Sequence, residues 1–233
     1  MSRRSDEERQ FFYEGIAHQY DRVMNRYDLD RRLQIVFEEL CRPGELRGAR
    51  VLDVGCGTGW FSQRARHAGA SVVSTDIAVS MLRETRKKCE THRVVADACN
   101  LAFSTGSFDV VIASECIEHT LDPFRAVQEM HRVLRPGGSL IVTVPNRVWR
   151  FSATIAERLK LRPYEGLENW VGWGDLRRHL DALSMRITAM RGFHLFPPVL
   201  RVTWSFLGWA DRAGTTMPLG ALMLNIAVRA CKA

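Results

Sequence analysis

The 233-residue sequence has no pair of cysteines in a C-x-x-C arrangement. Its six cysteines are scattered along the chain, and none has a histidine at the spacing of a zinc finger. Closely spaced thiols are typical of structural zinc sites and of small disulfide frameworks. The sequence therefore predicts neither kind of site, and it favours a reducing, cytoplasmic setting.

No run of about 18 apolar residues occurs, so no transmembrane helix is predicted. The amino-terminal stretch is charged where a signal peptide would be apolar. The nearest approach to an apolar run, residues 195–210, is interrupted by Pro197, Pro198 and Arg201. Its aromatic side chains fit three roles that the sequence leaves open: protein core, a contact between subunits, or peripheral contact with a membrane.

The sequence also lacks any block of five like charges. Lys and Arg outnumber Asp and Glu by 33 to 26, which gives a formal net charge of +7. A basic surface suits an anionic partner, yet scattered basic residues are more often a solvated surface. A nucleic-acid partner is therefore not favoured, and the oligomeric state is left open. Since 46% of the residues are hydrophobic, the chain can bury one sizeable core.

Short β-branched runs alternate with amphipathic stretches from residue 50 onward. This alternation predicts an α/β fold with a doubly wound parallel sheet, whose ligand crevice lies at the carboxyl ends of the strands. Two helices, residues 11–24 and 29–40, are predicted to precede the sheet. The predicted strands are 51–54, 71–75, 93–96, 108–114, 139–144, 185–192 and 221–232, and the helices among them are 60–67, 80–89, 123–134 and 175–183.

A glycine-rich turn follows the first predicted strand. The segment 51–59 reads VLDVGCGTG, with Asp53 in the strand and glycines at 55, 57 and 59. Glycines let the backbone turn sharply against a ligand, and the next helix offers free N–H groups at its start. In a dinucleotide-binding loop the third glycine would stand at position 60, which is Trp60. The loop therefore favours a compact nucleoside ligand with a sulfonium and an amino acid over NAD.

Two aspartates end the next two strands. Asp76 closes the second strand, where a carboxylate can accept both hydroxyls of a ribose. Asp97 follows the third strand, where it can accept from an adenine amino group. A single strand-end Asp is usually a helix cap or a turn former. The glycine-rich turn followed by these two strand-end aspartates, in this order, indicates a nucleoside site.

On these motifs the chain resembles the class I S-adenosylmethionine (SAM) dependent methyltransferases of the type 11 group. The resemblance covers residues 45–146 and also includes the segment LRPGGSLIVTVPN. It implies a Rossmann-like seven-stranded sheet with its last strand antiparallel. It further implies an amino-terminal helical cap over residues 1–44 and a methyltransferase domain over 45–233, with substrate-side insertions at 146–183 and 193–218. The SAM contacts that it implies are Tyr20, Arg32, Asp53, Gly55, Gly57, Gly59, Asp76, Ile77, Met81, Asp97, Ala98 and Ser114.

An E-x-x-E-H segment follows the fourth strand. If it is helical, Glu115, Glu118 and His119 share one face and are reasonable ligands for a divalent ion such as Mg²⁺, which would activate a hydroxyl. The alternative is that Glu118 and His119 cap and solvate a loop, with His119 a lone general base. The segment is similar to that of ubiquinone-biosynthesis O-methyltransferases, whose matching residues are associated with Mg²⁺. It is also similar to that of small-RNA 3′-terminal 2′-O-methyltransferases, but their later metal-binding His has no counterpart here.

These patterns predict a SAM-dependent methyltransferase that acts on an oxygen of a small hydrophobic or aromatic metabolite. The catalytic candidates are Glu115, Glu118 and His119. Two alternatives remain: methylation of an RNA ribose, and a non-catalytic subunit that binds SAM beside a partner. Aromatic side chains are expected to wall the acceptor pocket, or else to be plain core: Phe12, Tyr13, Trp149, Phe151, Trp170, Trp173, Phe193, Phe196 and Trp204.

Overall fold

The structure is a computed structural model that describes residues 5–158, 166–195 and 219–233. Its centre is a seven-stranded sheet in the order β3-β2-β1-β4-β5-β7-β6. Strands β3, β2, β1, β4 and β5 are parallel, and β7 pairs antiparallel with both β5 and β6. The strands are β1 Arg50–Val54, β2 Ser71–Asp76, β3 His92–Val95, β4 Phe108–Ser114, β5 Leu134–Pro145, β6 Met185–Phe193 and β7 Asn225–Lys232.

The predicted sheet, with its antiparallel last strand, is therefore confirmed. Helices flank it on both faces, as the alternation of strands and helices requires. They are α1 Asp6–Arg9, α2 Ala17–Val23, α3 Arg26–Gln34, α4 Trp60–His67, α5 Val79–Lys88, α6 Pro123–Val133, α7 Arg150–Arg158 and α8 Trp173–Ala182.

The two faces of the sheet bury alternate residues of each strand. Val51 and Val110 point to the face that packs on α4 and the amino-terminal helices. Leu52 and Val111 point to the opposite face, which packs on α6 and α8. The central strands β1 and β4 are buried on both faces, whereas the edge strand β3 is partly exposed.

The amino-terminal region is more broken than the two predicted helices. Residues 12–15 form a 3₁₀ turn, and Asn25 starts α3 by accepting a hydrogen bond from the Asp28 backbone N–H. The chain then continues as a π-helical turn, Ile35–Leu40. The prediction of one continuous helix over 11–24 is wrong, because residues 12–15 form the 3₁₀ turn and α2 begins only at Ala17, after Ile16. The division into a cap (1–44) and a domain (45–233) stays a prediction.

Within the described residues, no helix is both long enough and apolar enough to cross a membrane. The aromatic segment whose role the sequence leaves open lies almost wholly in the range 196–218, outside the described residues.

Candidate active site

A cavity of about 870 Å³ opens at the carboxyl ends of the parallel strands, beneath the amino-terminal helices. Its walls include the residues that follow β1, β2, β3 and β4, together with Asn225 at the start of the antiparallel β7. The sequence-predicted residues that line it are Tyr20, Arg32, Gly55, Gly57, Asp76, Ile77, Met81, Asp97, Ala98, Ser114, Glu115, Glu118 and His119.

The glycine loop has the left-handed backbone that the sequence suggests. Gly55, Gly57 and Gly59 have φ angles of 64°, 53° and 92°. A Cβ on Gly57 would meet no protein atom within 4 Å, whereas one on Gly59 would lie 2.8 Å from Thr85 Cγ2. Gly55 and Gly57 therefore form the cavity wall, and Gly59 allows α4 to pack on α5. Gly59 is not among the cavity-lining residues, and its role as a cofactor contact stays a prediction.

Asp53 is likewise not a cavity residue. It alternates along β1 with Val51 and faces α4, where its Oδ2 accepts a 2.6 Å hydrogen bond from Ser62 Oγ. Its side chain is buried, and burial raises its pKa to about 7. The pleat of the strand turns Asp53 toward the helix that follows the loop, and its role as a cofactor contact stays a prediction.

Asp76 links the glycine loop to the start of α5. Its Oδ2 accepts from the Gly57 N–H at 2.9 Å, and its Oδ1 accepts from the Ala78 N–H at 2.9 Å. Burial raises the pKa of Asp76 to about 6, although these two N–H groups oppose the shift. An ionised carboxylate has about four acceptor positions, so two remain for a ligand in the cavity.

Asp97 lies next to Asp76 along the edge of the sheet. Its Oδ1 accepts from the Cys99 N–H at 2.8 Å, so it is also a turn former, as the alternative interpretation expects. Ile77 and Ala98 line the same part of the cavity, and Met81 is buried behind Tyr20 and Ala78.

Arg32 joins the amino-terminal helices to the end of β4. Its Nε donates to Asp28 Oδ2 at 2.9 Å, and its NH1 donates to Ser114 Oγ at 3.2 Å. Nε2 of His194 lies 3.0 Å from Asp28 Oδ1. Burial alone would raise the pKa of Asp28, but Arg32 and His194 hold it below its usual value. Sequence reasoning missed Asp28 and His194, because 166 residues separate them.

Asp21 on α2 forms a second set of contacts between the amino-terminal helices and the glycine loop. Asp21 Oδ1 accepts from Thr58 Oγ1 at 2.6 Å and from Trp60 Nε1 at 3.1 Å, and its Oδ2 pairs with Lys88. One carboxylate on the amino-terminal region thus contacts the loop, the first residue of α4 and the last of α5. No local pattern around Asp21 indicates this set of contacts.

The E-x-x-E-H segment does not form the predicted helical face. Glu115 has a φ of 50°, and only Ile117–His119 form a short 3₁₀ turn. Both carboxylate oxygens of Glu115 accept from Asn225 Nδ2 at 3.2 Å, whereas Glu118 Oε1 lies 3.8 Å from His119 Nε2. The left-handed residue turns Glu115 away, so the prediction of a shared face is wrong. Across the described ranges, no group of three His, Cys, Asp or Glu side chains is placed to hold a metal.

His119 is held by contacts on both of its ring nitrogens. Its Nδ1 lies 2.8 Å from the Leu167 carbonyl oxygen, which can only accept, so Nδ1 carries the proton and donates. In the neutral ring Nε2 is then the acceptor, and the Tyr13 hydroxyl donates to it at 3.1 Å. His119 therefore presents its basic nitrogen to the cavity, beside Glu118.

Comparison with known proteins identifies the family to which this chain belongs. Residues 52–142 match a methyltransferase domain family. The chain is 30% identical over 175 residues to the ubiquinone biosynthesis O-methyltransferase of Actinobacillus pleuropneumoniae serotype 5b, which covers 68% of this chain and 74% of that protein. This chain belongs to the SAM-dependent methyltransferase family.

Other relatives match over less of their length. The malonyl-[acyl-carrier protein] O-methyltransferase of Pseudescherichia vulneris is 34% identical over 132 residues, which cover 55% of this chain and 53% of that protein. A ubiquinone biosynthesis O-methyltransferase of Xanthomonas oryzae pv. oryzae is 38% identical over 109 residues, 44% of this chain and 46% of that protein. The methyltransferase thus spans about half the length of these two relatives.

A solved structure shares the fold of this methyltransferase. Magnesium protoporphyrin IX methyltransferase of Synechocystis has a TM-score of 0.68 at 18% identity and covers 97% of this chain and 98% of its own. At this identity the likeness shows the fold alone.

The aromatic side chains divide between wall and core in the methyltransferase. Phe12, Tyr13 and Trp170 line the cavity. Phe193 is fully buried in the core, which is the second of the two roles that the sequence leaves open for these aromatic residues. Trp149, Phe151 and Trp173 are not among the lining residues. Phe196 and Trp204 lie outside the described residues.

Substituting the first two loop glycines of the methyltransferase tests the loop. A Cβ on residue 55 would lie 2.3 Å from Cys116 Sγ and 2.8 Å from Cys116 Cβ. We expect Gly57→Ala to lower the free energy of unfolding by about 1–2 kcal/mol, because its only cost is backbone strain. Gly55→Ala should cost about 1–3 kcal/mol more, because the clash is added to the strain. Denaturant unfolding of both variants measures the difference, and equal losses would contradict the close approach of Cys116.

Proposed function

We propose that the protein transfers a methyl group from SAM to a hydroxyl oxygen of a small hydrophobic or aromatic acceptor. The observation that carries this proposal is His119, whose basic Nε2 faces the cavity while its Nδ1 is fixed by the Leu167 carbonyl. Relatives named for ubiquinone biosynthesis and for demethylmenaquinone support an aromatic acceptor. The aromatic wall of Phe12 and Trp170 supports it as well.

The cavity suits SAM at the end that lies against the glycine loop. The open space over Gly57 accommodates the methionine part, and the two remaining acceptor positions of Asp76 suit the ribose hydroxyls. Ile77, with Met81 behind, is assigned to the adenine face. The assignments at the adenine edge are Asp97 and Ala98, and those at the methionine end are Gly55, Tyr20, Arg32 and Ser114.

Bound SAM supplies an electrophilic methyl group, which passes to the acceptor oxygen as the carbon–sulfur bond breaks. His119 Nε2 takes the proton of the acceptor hydroxyl, because it is the acceptor nitrogen of the neutral ring. Proton removal by a positioned base contributes typically 10²–10⁴-fold to such rates. In the structure the Tyr13 hydroxyl donates to this nitrogen, so the acceptor hydroxyl replaces it there when it binds. The walls align the two reactants and keep water away.

We route no step through a metal ion, because Glu115 turns to Asn225 while Glu118 stays beside His119. We expect EDTA to leave the rate of methyl transfer unchanged within twofold and added Mg²⁺ to leave it unchanged as well. The measurement is the initial rate after dialysis against EDTA, with and without an excess of MgCl₂ restored. A rate that disappears with EDTA and returns with Mg²⁺ would contradict the route through His119 alone.

The proposed function is tested by incubating the protein with SAM and 4-methylcatechol and analysing the product by mass spectrometry. We expect an O-methyl ether together with S-adenosylhomocysteine (SAH), formed in equal amounts. If SAM binds and neither product forms with this or other aromatic hydroxyl compounds, the hydroxyl acceptor is wrong. Methylation of an RNA ribose and a non-catalytic subunit remain predictions that no described feature of the cavity favours.

A further inference from the structure

Residues 166–171 run beside the short 3₁₀ turn that follows β4. Both ends of this segment are fixed to other elements. At one end the Leu167 N–H donates to the carbonyl of Arg9, the last residue of α1, at 3.2 Å. At the other end the Val171 carbonyl accepts from the Arg147 N–H at 3.0 Å, just after β5. The segment therefore connects the amino-terminal region to the edge of the sheet where the parallel strands end.

One residue of this segment bonds to the backbone on both sides of His119. The Asn169 N–H donates to the Glu118 carbonyl at 2.6 Å, and Asn169 Nδ2 donates to the Thr120 carbonyl at 2.7 Å. Between these two contacts, His119 Nδ1 donates to the Leu167 carbonyl at 2.8 Å. Three hydrogen bonds thus join the segment to the turn. They hold both the backbone of the base and the partner of its ring, which leaves the ring little freedom to rotate.

The Leu167 carbonyl decides which nitrogen of His119 can take a proton. A neutral imidazole carries one N–H, and only its other nitrogen can act as a base. While Leu167 accepts from Nδ1, Nε2 is unprotonated at the end of the cavity where the acceptor is proposed to bind, which we call the acceptor end. If the Leu167 carbonyl moved away, the ring could carry its proton on Nε2 instead, and the cavity would lose its base.

We propose that Asn169 is a positioning residue for the base: it holds the Leu167 carbonyl against His119 Nδ1 and so fixes the ring with Nε2 unprotonated. This inference rests on the proposed function, because it takes Nε2 as the proton acceptor in methyl transfer. Asn169 does not line the cavity, although Glu168 and Trp170 on either side of it do. It therefore acts on the reaction through His119 and not by contact with either reactant.

The protonated nitrogen of His119 can be identified without methyl transfer. Nitrogen NMR spectra of the isotope-labelled protein report which ring nitrogen carries the proton, and the His119 signals are those absent from His119→Ala. We expect the native ring to carry its proton on Nδ1. Asn169→Ala should lower the ratio of the Nδ1-protonated to the Nε2-protonated form about threefold or more, because the Leu167 carbonyl is no longer held in place. An unchanged ratio, or a native ring protonated on Nε2, would overturn the proposal.

A double-mutant cycle tests the same link in the reaction. We expect Asn169→Ala alone to lower kcat about tenfold, because part of the contribution of the base is lost, and to change SAM affinity by less than about twofold. In the His119→Ala background the same substitution should change kcat by less than about twofold, because no base is left to position. A further loss of about tenfold in that background would mean that Asn169 supports the site in another way, and would contradict the proposal.

Two further variants complete the experiment. Asn169→Asp keeps the shape of the side chain but places an acceptor against the Thr120 carbonyl, so it should lower the ratio of the two ring forms at least as much as Asn169→Ala. Gln128→Ala removes an exposed amide on α6, outside the cavity, and should leave that ratio and kcat unchanged. If the spectra change as expected but the native protein methylates no aromatic hydroxyl compound, the positioning of the ring stands and the proposed reaction fails.

Discussion

Replacing His119 by Ala is expected to lower kcat for methyl transfer about a hundredfold or more, because the acceptor hydroxyl then loses its base. The Leu167 carbonyl fixes Nδ1 as the donor and leaves Nε2 as the proton acceptor, so no other ring nitrogen can substitute. SAM binding should change by less than about twofold, since the assigned cofactor contacts lie elsewhere. Steady-state kinetics with 4-methylcatechol and calorimetry with SAM measure the two effects separately.

The matched control is His67→Ala, because His67 is exposed at the end of α4 and does not line the cavity. It should leave both kcat and SAM affinity unchanged. If His119→Ala loses SAM affinity in proportion to kcat, His119 supports the shape of the site and is not the base. If kcat persists, the base is a different group.

Asp76→Ala is expected to weaken SAM binding about a hundredfold, because hydrogen bonds to a charged acceptor contribute about 1.5–3 kcal/mol each. The same carboxylate holds the Gly57 and Ala78 N–H groups, so part of the loss arises from a looser loop. Thermal unfolding without SAM separates the two contributions. A variant that unfolds like the native chain yet binds SAM normally would remove Asp76 from the site.

The pH dependence of SAM affinity follows from the same group. Burial raises the pKa of Asp76 to about 6 in the free protein, and the ribose hydroxyls require the ionised form. As the pH falls below about 6, binding must first remove a proton, so affinity should drop by up to tenfold per pH unit. Above that value the dependence should disappear. Asp76→Ala should show no such transition, and a native profile that is flat from pH 5 to 8 would contradict the assignment.

The parts of the site that lie close together in sequence could be predicted from it. The glycines at 55 and 57, Asp76 and Asp97 all follow strand ends, and parallel strands bring their carboxyl ends to one edge. Glu115 could not be placed, because a helical spacing does not reveal a residue with a φ of 50°. The alternation along β1 predicts that Asp53 lies on the face of Val51, toward α4.

The contacts that complete the site join distant parts of the chain. Tyr13 reaches His119 across 106 residues, and Asp28 reaches His194 across 166. Such pairs depend on how the amino-terminal helices pack over the sheet, and no local pattern encodes this packing. The sequence could therefore predict the cofactor end of the cavity better than the acceptor end.

A crystal structure of the complex with SAH tests the central claim most directly, because it locates the reacting sulfur relative to His119. The account predicts that the ribose hydroxyls lie within hydrogen-bond distance of the Asp76 carboxylate and that the sulfur faces the acceptor end, toward His119 Nε2. A ribose held away from Asp76, or a sulfur turned away from His119 with protein atoms between them, would contradict it.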